Sequence, residues 1–112
     1  MRTQTSTLTG ESIFIKSDSF LTKIKFEDIF WVEALGNYVI IYTSEGKHTV
    51  HTTMKSITDK LPTDQFLRIH RSFIVNLYRI NSVNGRSLKI DDNYIPISRS
   101  CKKGLMEKLY CL

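Results

Sequence analysis

Cysteine is scarce in this chain, and both cysteines, Cys101 and Cys111, fall within the final twelve residues. A small secreted domain stapled by disulfides spreads its cysteines along the sequence. Two reduced thiols in a cytoplasmic protein are expected here instead. Long apolar runs are missing as well. The longest, such as Val39-Ile40-Ile41-Tyr42, last a few residues, whereas a helix that spans a bilayer needs about twenty, so no membrane partner is expected. Residues 1–12 are polar and threonine-rich, without the apolar stretch of a signal peptide. They read as a linker or a cloning remnant ahead of a domain over 13–112. The five glycines stand singly among turns, which excludes a glycine-rich phosphate loop. The histidines offer no metal spacing: His48 and His51 lie three apart on an expected strand and point to opposite faces. Ser72, near His70, lacks the third, orienting group that a nucleophilic serine requires. Neither catalysis nor a cofactor nor a metal is expected.

What is present is basic charge in one half. Of the net +5, residues 1–67 contribute −1, from seven Lys/Arg against eight Asp/Glu, and residues 68–112 contribute +6, from nine against three. Such asymmetry suits a polyanion, whose condensed counterions are released when lysines and arginines meet its phosphates. Charge alone is equally compatible with a solvated basic face. At 112 residues the chain has room for one compact domain with a modest core.

Short apolar segments separated by turn residues predict a mainly β protein. Strands are expected at 13–16 and 21–26 around the polar Ser17-Asp18-Ser19, then at 29–35, 38–43 and 48–52. Gly36-Asn37 can take positive φ and so reverse the chain between two of them. Met54, Ile57 and Leu61 then follow helical spacing behind Thr52 or Thr53 as N-cap, and Pro62 ends that helix. Strands resume at 66–69, 73–75, 80–84, 88–90 and 94–97. A last helix is expected from Arg99, capped by Ser98, with Cys101, Leu105 and Leu109 on one face. Ile29-Phe30-Trp31-Val32 and Val39-Ile40-Ile41-Tyr42 are apolar at consecutive positions, which implies strands covered on both sides.

The segment Arg68-Ile69-His70-Arg71-Ser72 concentrates two cations and strong hydrogen-bonding groups between apolar Phe66-Leu67 and Phe73-Ile74-Val75. A strand that surfaces there would present them on a rigid platform, and the planar fork of Arg71 fits guanine O6 and N7. The whole run, from Phe66 to Asn76, resembles the signature of LytTR domains, DNA-binding outputs of bacterial response regulators. Asp28-Ile29-Phe30-Trp31-Val32-Glu33-Ala34-Leu35-Gly36-Asn37-Tyr38-Val39 is similar to that family's early strand–turn–strand, and 54–61 to its short helix. Ile95-Pro96-Ile97-Ser98-Arg99-Ser100 is similar to its closing element. The resemblance runs from about residue 13 to 109, in the family's order.

The resemblance implies an elongated stack of small antiparallel β-sheets, with a short helix near 53–61 and a C-terminal helix. It also implies loops that enter successive major grooves of double-stranded DNA. Three contact points carry over: the turn at Asn37-Tyr38, Arg71 and Arg99. Arg68, Lys102 and Lys103 are expected to meet phosphates, and His70 to bond a phosphate or brace the loop. Lys102 and Lys103 sit in a helix's first turn, where the macrodipole disfavours cations unless a phosphate binds. Plainer roles stand beside these. Asn37 can be a turn residue, Tyr38 a cap on the core, His70 a satisfier of buried backbone, Arg68 half of an ion pair, and Arg99 or the lysines merely solvated. Asn76, Trp31, Phe30, Phe66 and Phe73 are expected to be structural.

By resemblance the chain is expected to regulate transcription, either as a fragment that follows a receiver domain, which the polar start at 1–12 favours, or as a stand-alone protein, with pairs of domains on direct repeats. The rival is a β-rich module that binds protein or single-stranded RNA through exposed aromatics. Burial of Phe30, Trp31, Phe66 and Phe73, with Asn37, Arg71 and Arg99 exposed, separates the two.

Overall fold

Consecutive apolar residues in a strand can all be buried only if both faces of the sheet are covered, and that requirement organises this protein. The computed structural model describes residues 11–17, 19–109 and 111. Its central layer is a five-stranded antiparallel sheet of β3 (Ile29–Leu35), β4 (Tyr38–Thr43), β5 (Gly46–Val50), β6 (Phe66–His70) and β7 (Phe73–Asn76), in the order β5-β4-β3-β7-β6. The other strands form a two-stranded sheet, β1 (Ser12–Ser17) with β2 (Phe20–Lys25), and a three-stranded one, β8 (Ser82–Asn84), β9 (Ser87–Ile90) and β10 (Asn93–Pro96). Two helices complete the fold, α1 (Met54–Thr58) and α2 (Arg99–Lys108).

Because side chains alternate along a strand, the central sheet divides its apolar residues between two cores. Ile29, Val32, Val39, Ile41, Phe66 and Ile74 face one core, closed by Ile15 and Ile24 of the β1–β2 hairpin and by Met54, Ile57 and Leu61. Trp31, Ile69 and Val75 face the other, closed by Leu88, Ile90 and Ile95 of the three-stranded sheet and by Leu105 of α2. Each fully buried isoleucine here contributes about 1.5–3 kcal/mol relative to exposure. Stacked antiparallel sheets with two helices are thus observed as expected.

Several boundaries differ from expectation, each for a local reason. Residues 1–10 of the expected linker, and Asp18 of the expected β1–β2 turn, lie outside the described residues; Ser12 already pairs with Lys25. The strand expected at 48–52 begins earlier, because Gly46 pairs with Thr43. Helix α1 is capped by Thr53, whose Oγ1 accepts from Ser56 N at 3.0 Å. It runs out in i−3 bonds, Lys60 N to Ile57 O and Leu61 N to Thr58 O, so Leu61 is buried from a turn beyond the helix. Ile80 does not join a strand. A 3-10 turn, Leu77–Arg79, intervenes, and β8 starts at Ser82.

That turn depends on Asn76, which is fully buried. Its Oδ1 accepts from Tyr78 N (3.0 Å), while Nδ2 donates to Ile29 O (2.8 Å) and Phe26 O (3.4 Å). One amide therefore starts the turn after β7 and satisfies carbonyls at the entry to β3. Removing it strands buried backbone groups. Asn76→Ala is expected to cost about 2–4 kcal/mol, read as a lowered urea midpoint with unchanged slope. A loss below about 0.5 kcal/mol would mean that the freed groups find other partners.

Candidate nucleic-acid interface

The first expected contact is a two-residue turn: Leu35 pairs with Tyr38, leaving Gly36-Asn37 between β3 and β4. Gly36 alone takes the positive φ, +64°, as in a turn of the II′ kind. A Cβ there would meet no atom within 4 Å, so the backbone angle and not space asks for glycine. Asn37 has no positive φ to account for it, and its exposed side chain is left for other work. Tyr38 does not cap the core; it is 49% exposed and meets His51 edge-on, ring centroids 5.0 Å apart. Leu35, the end of a buried strand in the sequence, stands 57% exposed beside the turn.

The second expected contact is the β6–β7 turn. The pairing shifts register between Arg68 and His70, which buries Ile69 and turns its neighbours outward. Arg68 pairs with no carboxylate among the described residues; its Nη2 donates to Arg71 O at 2.7 Å. His70 Nδ1 accepts from Ser72 N at 3.1 Å, and its ring meets Phe73 edge-on. Arg68 and His70 thus brace the turn from both sides. Arg71 stays exposed, and its guanidinium has no hydrogen-bond or ion-pair partner among the described residues.

The third expected contact opens α2. Ser98 holds the N-cap position without the expected side-chain cap: its Oγ lies 3.4 Å from Ser100 Oγ, and only its carbonyl serves the helix, accepting from Cys101 N. Arg99 is exposed as the first helical residue. Lys102 donates to Gly85 O at 2.6 Å, while Lys103 is exposed without a partner among the described residues.

Main-chain bonds join the three. Ala34 N, near the end of β3, donates to Ser72 O at 2.9 Å, and Ser98 N donates to Ile69 O at 2.8 Å. Between the second and third lies a cleft of about 390 Å³, lined by Arg68, His70, Arg71, Ser98, Ser100 and Cys101. Rigid backbone, not a side-chain network, fixes the spacing of Asn37, Arg71 and Arg99.

The electrostatics fit an anion. Among the described residues the ion pair found is Lys55–Asp59, far in sequence from these turns. Glu33, the acid in β3, is engaged by the Tyr42 hydroxyl at 3.2 Å. Burial, and then Glu33 itself, raises that phenol above its ordinary range, so it remains a donor at neutral pH. Arg79 is structural: it donates to Glu27 O and lies 4.8 Å over the Phe30 ring. Arg86, in the β8–β9 turn, is exposed with a free guanidinium among the described residues. No local sequence signal marked it. No cluster of metal-ligating residues occurs among the described residues.

Of the aromatics that separate the two readings, Trp31 and Phe66 are buried, and Phe30 and Phe73 are half-buried. Among the described residues the exposed ones, Phe14, Phe20, Tyr38, Tyr78 and Tyr94, stand on separate elements.

Comparison with known proteins agrees with this geometry. A family model described as the LytTr DNA-binding domain matches residues 19–110. The sensory transduction protein LytT of Bacillus subtilis is 33% identical over 108 residues, 90% of this chain and 41% of the relative. LytT of Enterococcus faecalis is 30% identical over 106 residues, 89% of this chain and 44% of the relative. The transcriptional regulatory protein YpdB of Escherichia coli is 27% identical over 113 residues, 95% and 46%. The chain thus spans less than half the length of these curated relatives. Among solved structures, the LytTr DNA-binding domain of a Bacillus cereus response regulator shares the fold, with TM-score 0.76 at 23% identity, over 88% of this chain and 96% of that one.

Proposed function

This chain belongs to the LytTr DNA-binding domain family, and from that premise we propose that it binds double-stranded DNA in a sequence-specific manner to control transcription. The observation that carries the proposal is the joining of three turns by main-chain hydrogen bonds, with Asn37, Arg71 and Arg99 all exposed on them. Rigidly spaced side chains can meet successive major grooves, where the donor and acceptor pattern of each base pair is distinct. Arg71 and Arg99 read guanine edges, and Asn37 reads an adenine edge or donates to phosphate, with Tyr38 beside it. Arg68 keeps free donors for a phosphate while one N–H holds the turn, and His70 acts through the same brace. Lys103 meets the backbone. Burial of Trp31 and Phe66 supports this reading over single-strand recognition, which relies on exposed stacking platforms.

The length and names of the relatives support a wider setting. In that setting the domain is the cytoplasmic output of a two-component response regulator, with a receiver domain elsewhere in the polypeptide and two copies seated on direct repeats. Selection of bound duplexes from a random library tests the core of the proposal. A recurrent short motif is expected, and recovery of unenriched sequence would overturn it.

Two substitutions separate the assigned roles. Arg71→Ala is expected to lose about 1–3 kcal/mol on the selected duplex and to relax discrimination at one base pair. Equal losses on selected and random duplexes would reduce Arg71 to a phosphate contact. Lys103→Ala is expected to weaken both duplexes alike and to flatten the salt dependence by about one unit; an unchanged slope places Lys103 away from DNA.

A further inference from the structure

The β8–β9 turn repeats the construction of the β3–β4 turn. Asn84 pairs with Ser87, leaving Gly85-Arg86 as a two-residue loop, just as Leu35 and Tyr38 enclose Gly36-Asn37. Gly85 has the same φ, +64°, and nothing within 4 Å of where a Cβ would stand. In both turns the glycine takes the strained angle and the second residue projects outward. The outward residue is Asn37 in one and Arg86 in the other.

Free hairpin turns on a protein surface direct their carbonyls to water. Both carbonyls of this one are held by the segment that carries Arg99. Ile97 N donates to Arg86 O at 2.8 Å, and Lys102 Nζ donates to Gly85 O at 2.6 Å. The two donors lie on either side of Arg99, so the turn is fixed against both flanks of the third contact. Lys102 would otherwise be a cation loose in the first turn of α2, where the macrodipole disfavours it. Its ammonium instead meets a carbonyl. No acid offsets the guanidinium of Arg86 among the described residues. The acids of the three-stranded sheet, Asp91 and Asp92, occupy the β9–β10 turn at the other end of β9.

We propose that the β8–β9 turn is a fourth DNA-contacting element, in which Arg86 binds a backbone phosphate beside the groove entered by Arg99 and Lys102 is the residue that positions it. This inference rests on the DNA-binding reading above and extends its footprint. The ligand chemistry is a phosphodiester oxygen pair, which a planar guanidinium engages through two parallel N–H groups. Phosphate contacts set register without reading sequence. The role is therefore distinct from those of Arg71 and Arg99.

The test measures the salt dependence of binding by fluorescence anisotropy for the full chain, with the selected duplex and a scrambled one. Arg86→Ala, Lys102→Met and the double variant are compared with wild type, each first shown to keep its thermal midpoint and circular dichroism. Arg86→Ala is expected to weaken both duplexes equally and to reduce the slope of log K against log salt by about 0.9. Arg86→Lys is expected to restore most of that slope, as a cation on phosphate should. Lys102→Met is expected to reduce the slope by no more than Arg86→Ala does, and the double variant to fall no further. A wild-type slope for Arg86→Ala overturns the proposal while leaving the DNA-binding reading intact. A loss confined to the selected duplex makes Arg86 a base reader and overturns the phosphate assignment. Slope losses that add in the double variant make Lys102 a direct contact and overturn its positioning role. Failure of the wild type to bind any duplex overturns this proposal together with the reading beneath it.

Discussion

The five-stranded sheet is apolar on both faces, and nothing else in the protein would hold its shape without that fact. A sheet with one wet face needs a single covering layer; this one needs two. The β1–β2 hairpin and α1 supply one layer, and the three-stranded sheet with α2 supplies the other. Each covering layer is too small to keep a core of its own. A two-stranded hairpin is at best marginal in water, and α1 is barely more than one turn long. The central sheet therefore stabilises its covers as much as they stabilise it, and loss of either core exposes the other strand face.

The position of the interface follows from this layering. Turns β3–β4 and β6–β7 belong to the central sheet, whereas the start of α2 belongs to a cover. What brings cover and sheet into register is the bond from Ser98 N to Ile69 O, made beside a residue that is itself wholly buried. The spacing of the arginines is thus set by core packing beneath them. Side chains within the turns serve two purposes that can be told apart by their partners. Arg68 and His70 bond main-chain atoms of their own turn and Lys102 a carbonyl of the neighbouring β8–β9 turn, while Arg71, Arg86, Arg99 and Lys103 point outward without partners among the described residues.

Much of the architecture was legible in the sequence, because it rests on local pattern. Consecutive apolar residues at 29–32 and 39–42 announced a doubly covered sheet, and the spacing of Met54, Ile57 and Leu61 announced α1. Less legible was anything decided by one side chain reaching a distant backbone atom. Asn76 diverts the chain into a 3-10 turn, where periodicity alone suggested that a strand begins at Ile80. Ser98 looked like a helix cap, yet its hydroxyl lies against Ser100. At the interface, residue type marked Asn37, Arg71 and Arg99, but it could not separate the braces from the exposed cations. Arg68 and Lys102 carry the same charge as Arg71 and Lys103; only their carbonyl partners distinguish them. Arg86 carries no such mark, because a Gly-Arg pair between short strands reads simply as a turn.

Asn37, Arg71 and Arg99 are exposed on these turns, and their side chains have no hydrogen-bond or ion-pair partner among the described residues. An exposed side chain without such a partner can be exchanged at little cost to the fold. Asn37, Arg71 and Arg99 can therefore vary independently of stability, and their backbone positions will stay where the core puts them. On the proposed base readout, such a domain can acquire a new address on the genome one residue at a time, passing only through intermediates that remain folded.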